Sequence, residues 1–179
     1  MDAAAFPDLP PRRKPLKRAV NRAVMFALGR ALHTLSQHDR LIHDEVAGWP
    51  DGFTLMVTVR PDGGAMAVSR TPDGRLTYRG ARLPEDAADV VIIIRSVETA
   101  FRLYTGRMSI DEAYAHHWTC ARGDLSRTMS VTRVLNAAQF YLFPSWIARR
   151  LMKRMPAIPR RRKYLLRLRA YLLGIPFGV

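Results

Sequence analysis

One cysteine, Cys120, is all the thiol this 179-residue sequence holds. An internal disulfide and a multi-cysteine metal site are both excluded, and the chain fits a reducing compartment or indifference to redox state. Acidic residues are scarce, 15 Asp and Glu against 29 Lys and Arg, which leaves a formal charge of +14. No apolar run approaches the ~20 residues a membrane span needs, so the chain is not expected to cross a bilayer. The glycine-rich phosphate loops G-x-G-x-x-G and G-x-x-x-x-G-K-[ST] do not occur. Ser126 lacks the G-x-S-x-G elbow of an activated nucleophile. Asp44-Glu45 and Asp111-Glu112 are adjacent pairs that face different ways on a helix, unlike carboxylates arranged to share a proton. His33, His38 and His43 recur every five residues, a step of about 140° on a helix. They therefore do not share a face as metal ligands three or four residues apart would. His116-His117 ends a helix and opens a strand, so those rings diverge. Without a catalytic, cofactor or metal motif, the sequence argues for binding rather than turnover.

What is present in quantity is positive charge, unevenly placed. Residues 11–30 hold seven Lys and Arg and no acid, and residues 149–169 hold ten and no acid, so the remainder nets to −3. A slightly acidic domain is flanked by two cationic arms. With 48% apolar residues the chain as a whole has the material for a core. Such arms suit nucleic acid or an anionic membrane surface, and the interleaved residues help to choose. In the first arm Val20, Val24, Leu28, Ala31, Leu32 and Leu35 recur at helical spacing. In the second, Arg160, Arg161, Arg162 and Lys163 run into Tyr164, Leu165, Leu168, Tyr171 and Leu172, which form a wide stripe that Leu166 and Leu173 escape. Basic residues beside bulky apolar ones describe an interfacial anchor better than a nucleic-acid tail. A helix docked on its own domain with a solvated basic face is the competing reading. Arg12-Arg13-Lys14 bears a passing likeness to a twin-arginine export signal. Arg22 and Arg30 break the segment after it and no small-residue cleavage site follows, so export is not expected.

Along the chain, residues 1–15 with four prolines read as a disordered leader, 16–145 as the domain and 146–179 as the basic arm. A helix is expected from about Leu16 to Leu35 with Gly29 as its weak point. Ser36 to Arg40 interrupts it, and a helical turn follows over Leu41 to Val46. Phe53 to Arg60 alternates Phe53, Leu55, Val57 and Val59 against Thr54, Met56, Thr58 and Arg60, a strand pattern. Turns at Pro61-Asp-Gly-Gly64 and Thr71-Pro-Asp-Gly74 predict an antiparallel meander. Residues 80–86 cross over to Asp89 to Arg95, whose Val/Ile run predicts a strand buried on both faces. Ser96 and Ser109 stand where N-caps are wanted, with Glu112 completing a capping-box pattern. Gly106 stops the first of the two short helices they open. A strand then ends at Gly123-Asp124, and a last helix runs from Leu125 to about Phe143.

That order is similar to the sterol carrier protein 2 family, and the chain reads as a bacterial stand-alone member. In the family a strand leads into a helix closing on a Leu-x-x-Gly-x-Met/Leu turn, then an Ala-rich helix, then a Gly-Asp step into the final helix. Phe101 to Met108, Asp111 to Ala115 and Arg122 to Leu125 match those parts, within a likeness spanning about residues 41–142. His117-Trp118 and the two basic arms depart from the family pattern. The resemblance implies an α+β fold: a five-stranded, mostly antiparallel sheet covered by helices, enclosing an apolar tunnel. The tunnel would hold a fatty acyl chain, phospholipid, sterol or isoprenoid/quinone intermediate, without catalysis. Phe101, Tyr104, Met108, Tyr114, Trp118, Met129, Val134 and Phe140 are the candidate lining, since Met and aromatics adapt to long guests. Ordinary core packing is the alternative for each. The expected setting is cytoplasmic, peripheral on the inner membrane, with an anionic leaflet and proteins of a lipid or quinone pathway as partners. An accessory role in ubiquinone biosynthesis and a basic nucleic-acid-binding protein are the competing functions.

Overall fold

The computed structural model describes residues 14–142, 160–169 and 171–172, the side chains of 160–163 apart. The expected leader over 1–15 and the segment 146–159 therefore lie almost wholly outside the described residues.

Helix α1 (Pro15–His38) opens with proline in its first turn, where a missing N–H costs nothing. It buries Met25, Leu28, Ala31, Leu32 and Leu35, while Val20 and Val24 are half-buried. It runs three residues beyond the expected end because its polar residues are bonded. The Ser36 hydroxyl donates to His33 O (2.7 Å) and accepts from Leu76 N (2.9 Å). Only Asp39 is extended, and its carboxylate accepts from Ile42 N, capping α2 (Arg40–Ala47). The interruption read over five residues is thus one residue wide.

The meander forms as expected. β1 (Thr54–Val59), β2 (Gly64–Arg70) and β3 (Leu76–Gly80) pair antiparallel in sequence. A single 3-10 turn at Glu85–Ala87 leads to β4 (Val90–Ile94), which pairs with β1 in parallel, and β5 (Thr119–Arg122) returns antiparallel to β4. The sheet order is β3-β2-β1-β4-β5. Putting β1 at the centre explains why both of its faces are buried. Leu55, Val57 and Val59 join the main core, whereas Met56 joins Ala67 and Val91 beneath Leu83 and Ala88 of the crossover. β4 is covered in the same manner, with Ile93 half-buried.

Helices α3 (Val97–Tyr104), α4 (Ile110–Ala115) and α5 (Leu125–Leu142) follow their punctuation. The hydroxyls of Ser96 and Ser109 accept from Thr99 N and Glu112 N, and Asp124 accepts from Arg127 N (2.9 Å). Gly106 takes φ +67° after α3, a conformation only glycine adopts cheaply. α1 and α5 lie with α3 and α4 over the inner face of the sheet, and α6 (Arg160–Arg169) rests on α5 and α1.

Candidate functional site

Period-two geometry sends Val57 of β1 and Ile92 and Ile94 of β4 to the inner face of the sheet. Met25 and Leu28 of α1 and Leu135 of α5 approach that face from above, and Leu103, Tyr104, Ile110 and Tyr114 of α3 and α4 close one side. Between them lies an apolar cavity of about 60 Å³. Thr119, Thr132, Asn136 and Gln139 supply the polar part of its wall, and among the described residues no charged side chain lines it. A second cavity of about 100 Å³ shares Leu28, Tyr104 and Gln139 with the first and reaches Leu142 and Tyr171 beneath the end of the C-terminal helix. The three shared side chains are the partition between the cavities.

Polar groups in this wall are poorly satisfied. The Tyr104 hydroxyl, Thr119 Oγ1 and Gln139 Oε1 are buried without a hydrogen-bond partner among the described residues. Burial pushes the Tyr104 phenol well above its ordinary value and raises that of Tyr114, with Cys120 nearby as a smaller cause. Tyr104 therefore stays a neutral donor at any physiological pH.

Of the eight residues named as lining from the sequence, Tyr104 and Tyr114 border the cavity. Met108, Val134 and Phe140 are buried in the main core beside it. Phe101 is half-buried under the Lys17 ammonium, 5.0 Å from its ring centroid. Trp118 is 38% exposed at the start of β5 and stacks on His116 at 4.8 Å. Met129 is 55% exposed because α5 turns Val131, Val134, Leu135 and Ala138 inward. Thr119, Thr132, Asn136 and Gln139 also line the cavity and are not among the residues the sequence suggests. Their one signal is that polar residues interrupt an apolar helix stripe or open a strand.

The C-terminal helix also departs from the expected phase. Leu166, placed off the stripe, is the buried residue, whereas Tyr164, Leu165, Leu168, Tyr171 and Leu172 are exposed. Arg167 Nε donates to Tyr141 O (3.0 Å) and the Tyr171 hydroxyl to Leu142 O (2.5 Å), polar ties that add to the buried Leu166 in docking the helix. Side chains of Arg160, Arg161, Arg162 and Lys163 lie outside the described residues.

Elsewhere, an open polar cleft of about 470 Å³ lies between α2 and α5. Glu45, Trp49, Arg127, Ser130 and Arg133 in its wall are already engaged. The Trp49 indole donates to Ser130 Oγ (2.8 Å), which donates to Glu45 Oε2 (2.8 Å), and Arg133 forks onto both Glu45 oxygens at 2.6 and 3.0 Å. The Arg133 hydrogen bonds hold the Glu45 carboxyl below the usual carboxylate range. His33 Nδ1 lies 2.5 Å from Leu76 O, and no group of metal-ligating side chains gathers among the described residues. No described helix is long and apolar enough to cross a membrane.

No family model matches this chain and no curated protein matches it. Among solved structures, the chain is similar to the sterol carrier protein domain 2 of Helicoverpa armigera at 19% identity, covering 77% of this chain and 94% of that one, with a TM-score of 0.45. A UbiJ-SCP2 ubiquinone synthesis protein aligns at 13% identity over 69% of this chain and 99% of its own, TM-score 0.44. Apo sterol carrier protein 2 from Yarrowia lipolytica aligns at 13% over 65% and 90%, TM-score 0.44.

Proposed function

We propose that this chain binds one lipid in the cavity between the sheet and α1, α3, α4 and α5, and exchanges it with an anionic membrane surface without chemical turnover. The observation that carries the reading is an apolar cavity adjoining a second one beneath the C-terminal helix. Together they are on the scale of a ~150 Å³ cavity that admits a benzene ring, so a longer guest needs them joined and widened. Leu28, Tyr104 and Gln139 are the side chains whose displacement joins them. Each methylene buried there contributes ~0.8 kcal/mol, much as it does in the bilayer it leaves, so exchange runs in either direction without an energy source. The exposed Tyr164, Leu165, Leu168 and Leu172, in a stretch rich in Lys and Arg, support shallow insertion of α6 into an anionic leaflet. The proposed setting is the cytoplasmic face of the inner membrane, and service to a quinone pathway is a narrower form of the same function.

Native mass spectrometry of the full chain purified from its expression host tests this. One bound lipid per chain, released on denaturation, is the expected result. A chain free of lipid that also takes up none from donor vesicles overturns the reading. Retention on DNA but not on anionic vesicles at equal salt favours nucleic-acid binding instead.

A further inference from the structure

The lipid-binding reading leaves open what end a guest presents to the wall, and the three unpaired polar atoms address that. Tyr104, Thr119 and Gln139 line the cavity, and the hydroxyls of the first two and the amide oxygen of the third are buried and unpartnered among the described residues. Thr119 is only 5% exposed. A buried polar atom without a partner costs free energy that a guest can recover. The hydroxyls can donate, whereas the amide oxygen only accepts, so a group able to do both satisfies the set. An alcohol or phenol does both. An ionised carboxylate or phosphate only accepts, and no charged side chain among the described residues lines the cavity to offset its burial.

We propose that the guest is a neutral lipid with a hydroxyl end group, held by Tyr104, Thr119 and Gln139, and that the cavity rejects the corresponding anionic lipid. This inference rests on the lipid-binding function proposed above and narrows it to long-chain or prenyl alcohols, hydroxylated sterols and phenolic lipids. Free fatty acids in their ionised form and phospholipids buried head-first are excluded from the site.

The full chain, loaded with a fluorescent alkyl reporter, is titrated at pH 8 with dodecanol, dodecanoate and dodecane, which share one tail. Dodecanol is expected to displace the reporter at a concentration at least about tenfold below dodecanoate, a lower bound for burying a charge without a counter-charge. Thr119→Val and Gln139→Leu are each expected to weaken dodecanol about fivefold, the equivalent of one hydrogen bond, without weakening dodecane. Tyr104→Phe, which removes a single oxygen, gives the same readout if either of the others melts early. Dodecanoate binding as tightly as dodecanol overturns the inference, as does loss of dodecane and dodecanol in equal measure across folded variants. In both cases the lipid-binding function stands. Failure of the reporter and of all three probes to bind overturns that function itself, and this inference with it.

Discussion

Tyr141 is fully buried, and its hydroxyl donates to Asp39 Oδ2 at 2.5 Å, while the other oxygen of Asp39 caps α2. One buried carboxylate thus joins α1, α2 and α5. Tyr141→Phe keeps the ring in the core but leaves that carboxylate short of a donor. Loss of a buried charge's hydrogen bond costs about 1–3 kcal/mol, and urea unfolding should show a lower midpoint with an unchanged slope. An unchanged midpoint would mean that another group serves Asp39. Residue identity was informative in the sequence where the role is local. Ser96, Ser109 and Asp124 cap because the group each one satisfies lies three residues away. Asp39 is different. Its partner Tyr141 stands 102 positions later, and no local pattern announces such a pair.

At the scale of elements, α1 is the piece whose docking the sequence described least well. Gly29 looked like a weak point in the helix, yet it is a point of close approach to the sheet. A Cβ there would stand 2.4 Å from Tyr78 Cε2 and 2.5 Å from Cδ2, and the Tyr78 ring is itself set edge-on against Phe26. Gly29→Ala should gain helix propensity and still lose about 1–3 kcal/mol through overpacking. Adding Tyr78→Leu to that variant should recover part of the loss, a non-additivity readable by thermal melts. Additive effects would disprove the clash.

The start of α1 is tied to α3 electrostatically. Glu98 accepts from Lys14 and Lys17 at 2.8 Å, and those hydrogen bonds, Lys14 first, lower its carboxyl to about 2. A carboxylate with a depressed folded value contributes stability above its unfolded value, which is lost as pH falls through the folded one. The window is therefore about pH 4.5 down to 2. Because the groups are partly exposed, the effect stays within about 1 kcal/mol. Wild type should melt above Glu98→Gln at pH 7 and low salt, and the two should converge as the pH approaches 2. A gap that persists at pH 2 would assign Glu98 a role other than its charge.

For the whole molecule, the proposed membrane contact combines charge with exposed apolar surface. Leu165 and Leu168 are 64% and 55% exposed on α6, so Leu165→Ser with Leu168→Ser should leave the melting temperature nearly unchanged. Flotation with anionic vesicles should fall several-fold for this variant, since each leucine contributes about 1.5–3 kcal/mol when fully buried. Raising salt should weaken wild-type binding to anionic vesicles while binding to neutral ones stays low. Unaltered flotation would show that α6 does not enter a leaflet through these leucines.

The sequence by itself determined the parts of this protein whose causes are short-ranged. The meander was legible from period-two alternation and its Pro-Asp-Gly turns, and the helix starts from serine and aspartate caps. Tertiary structure alone decided which side of each element faces inward. Met129 and Trp118 look like lining and stand at the surface, Leu166 looks misplaced and is what docks α6, and Thr119 and Gln139 look incidental and border the cavity. A helical stripe fixes which residues lie together, but when two faces are similarly apolar the neighbours decide which is buried. The cavity itself is a gap between elements distant in the chain, and its shape depends on how their side chains fail to fill it, which no single stretch of sequence encodes.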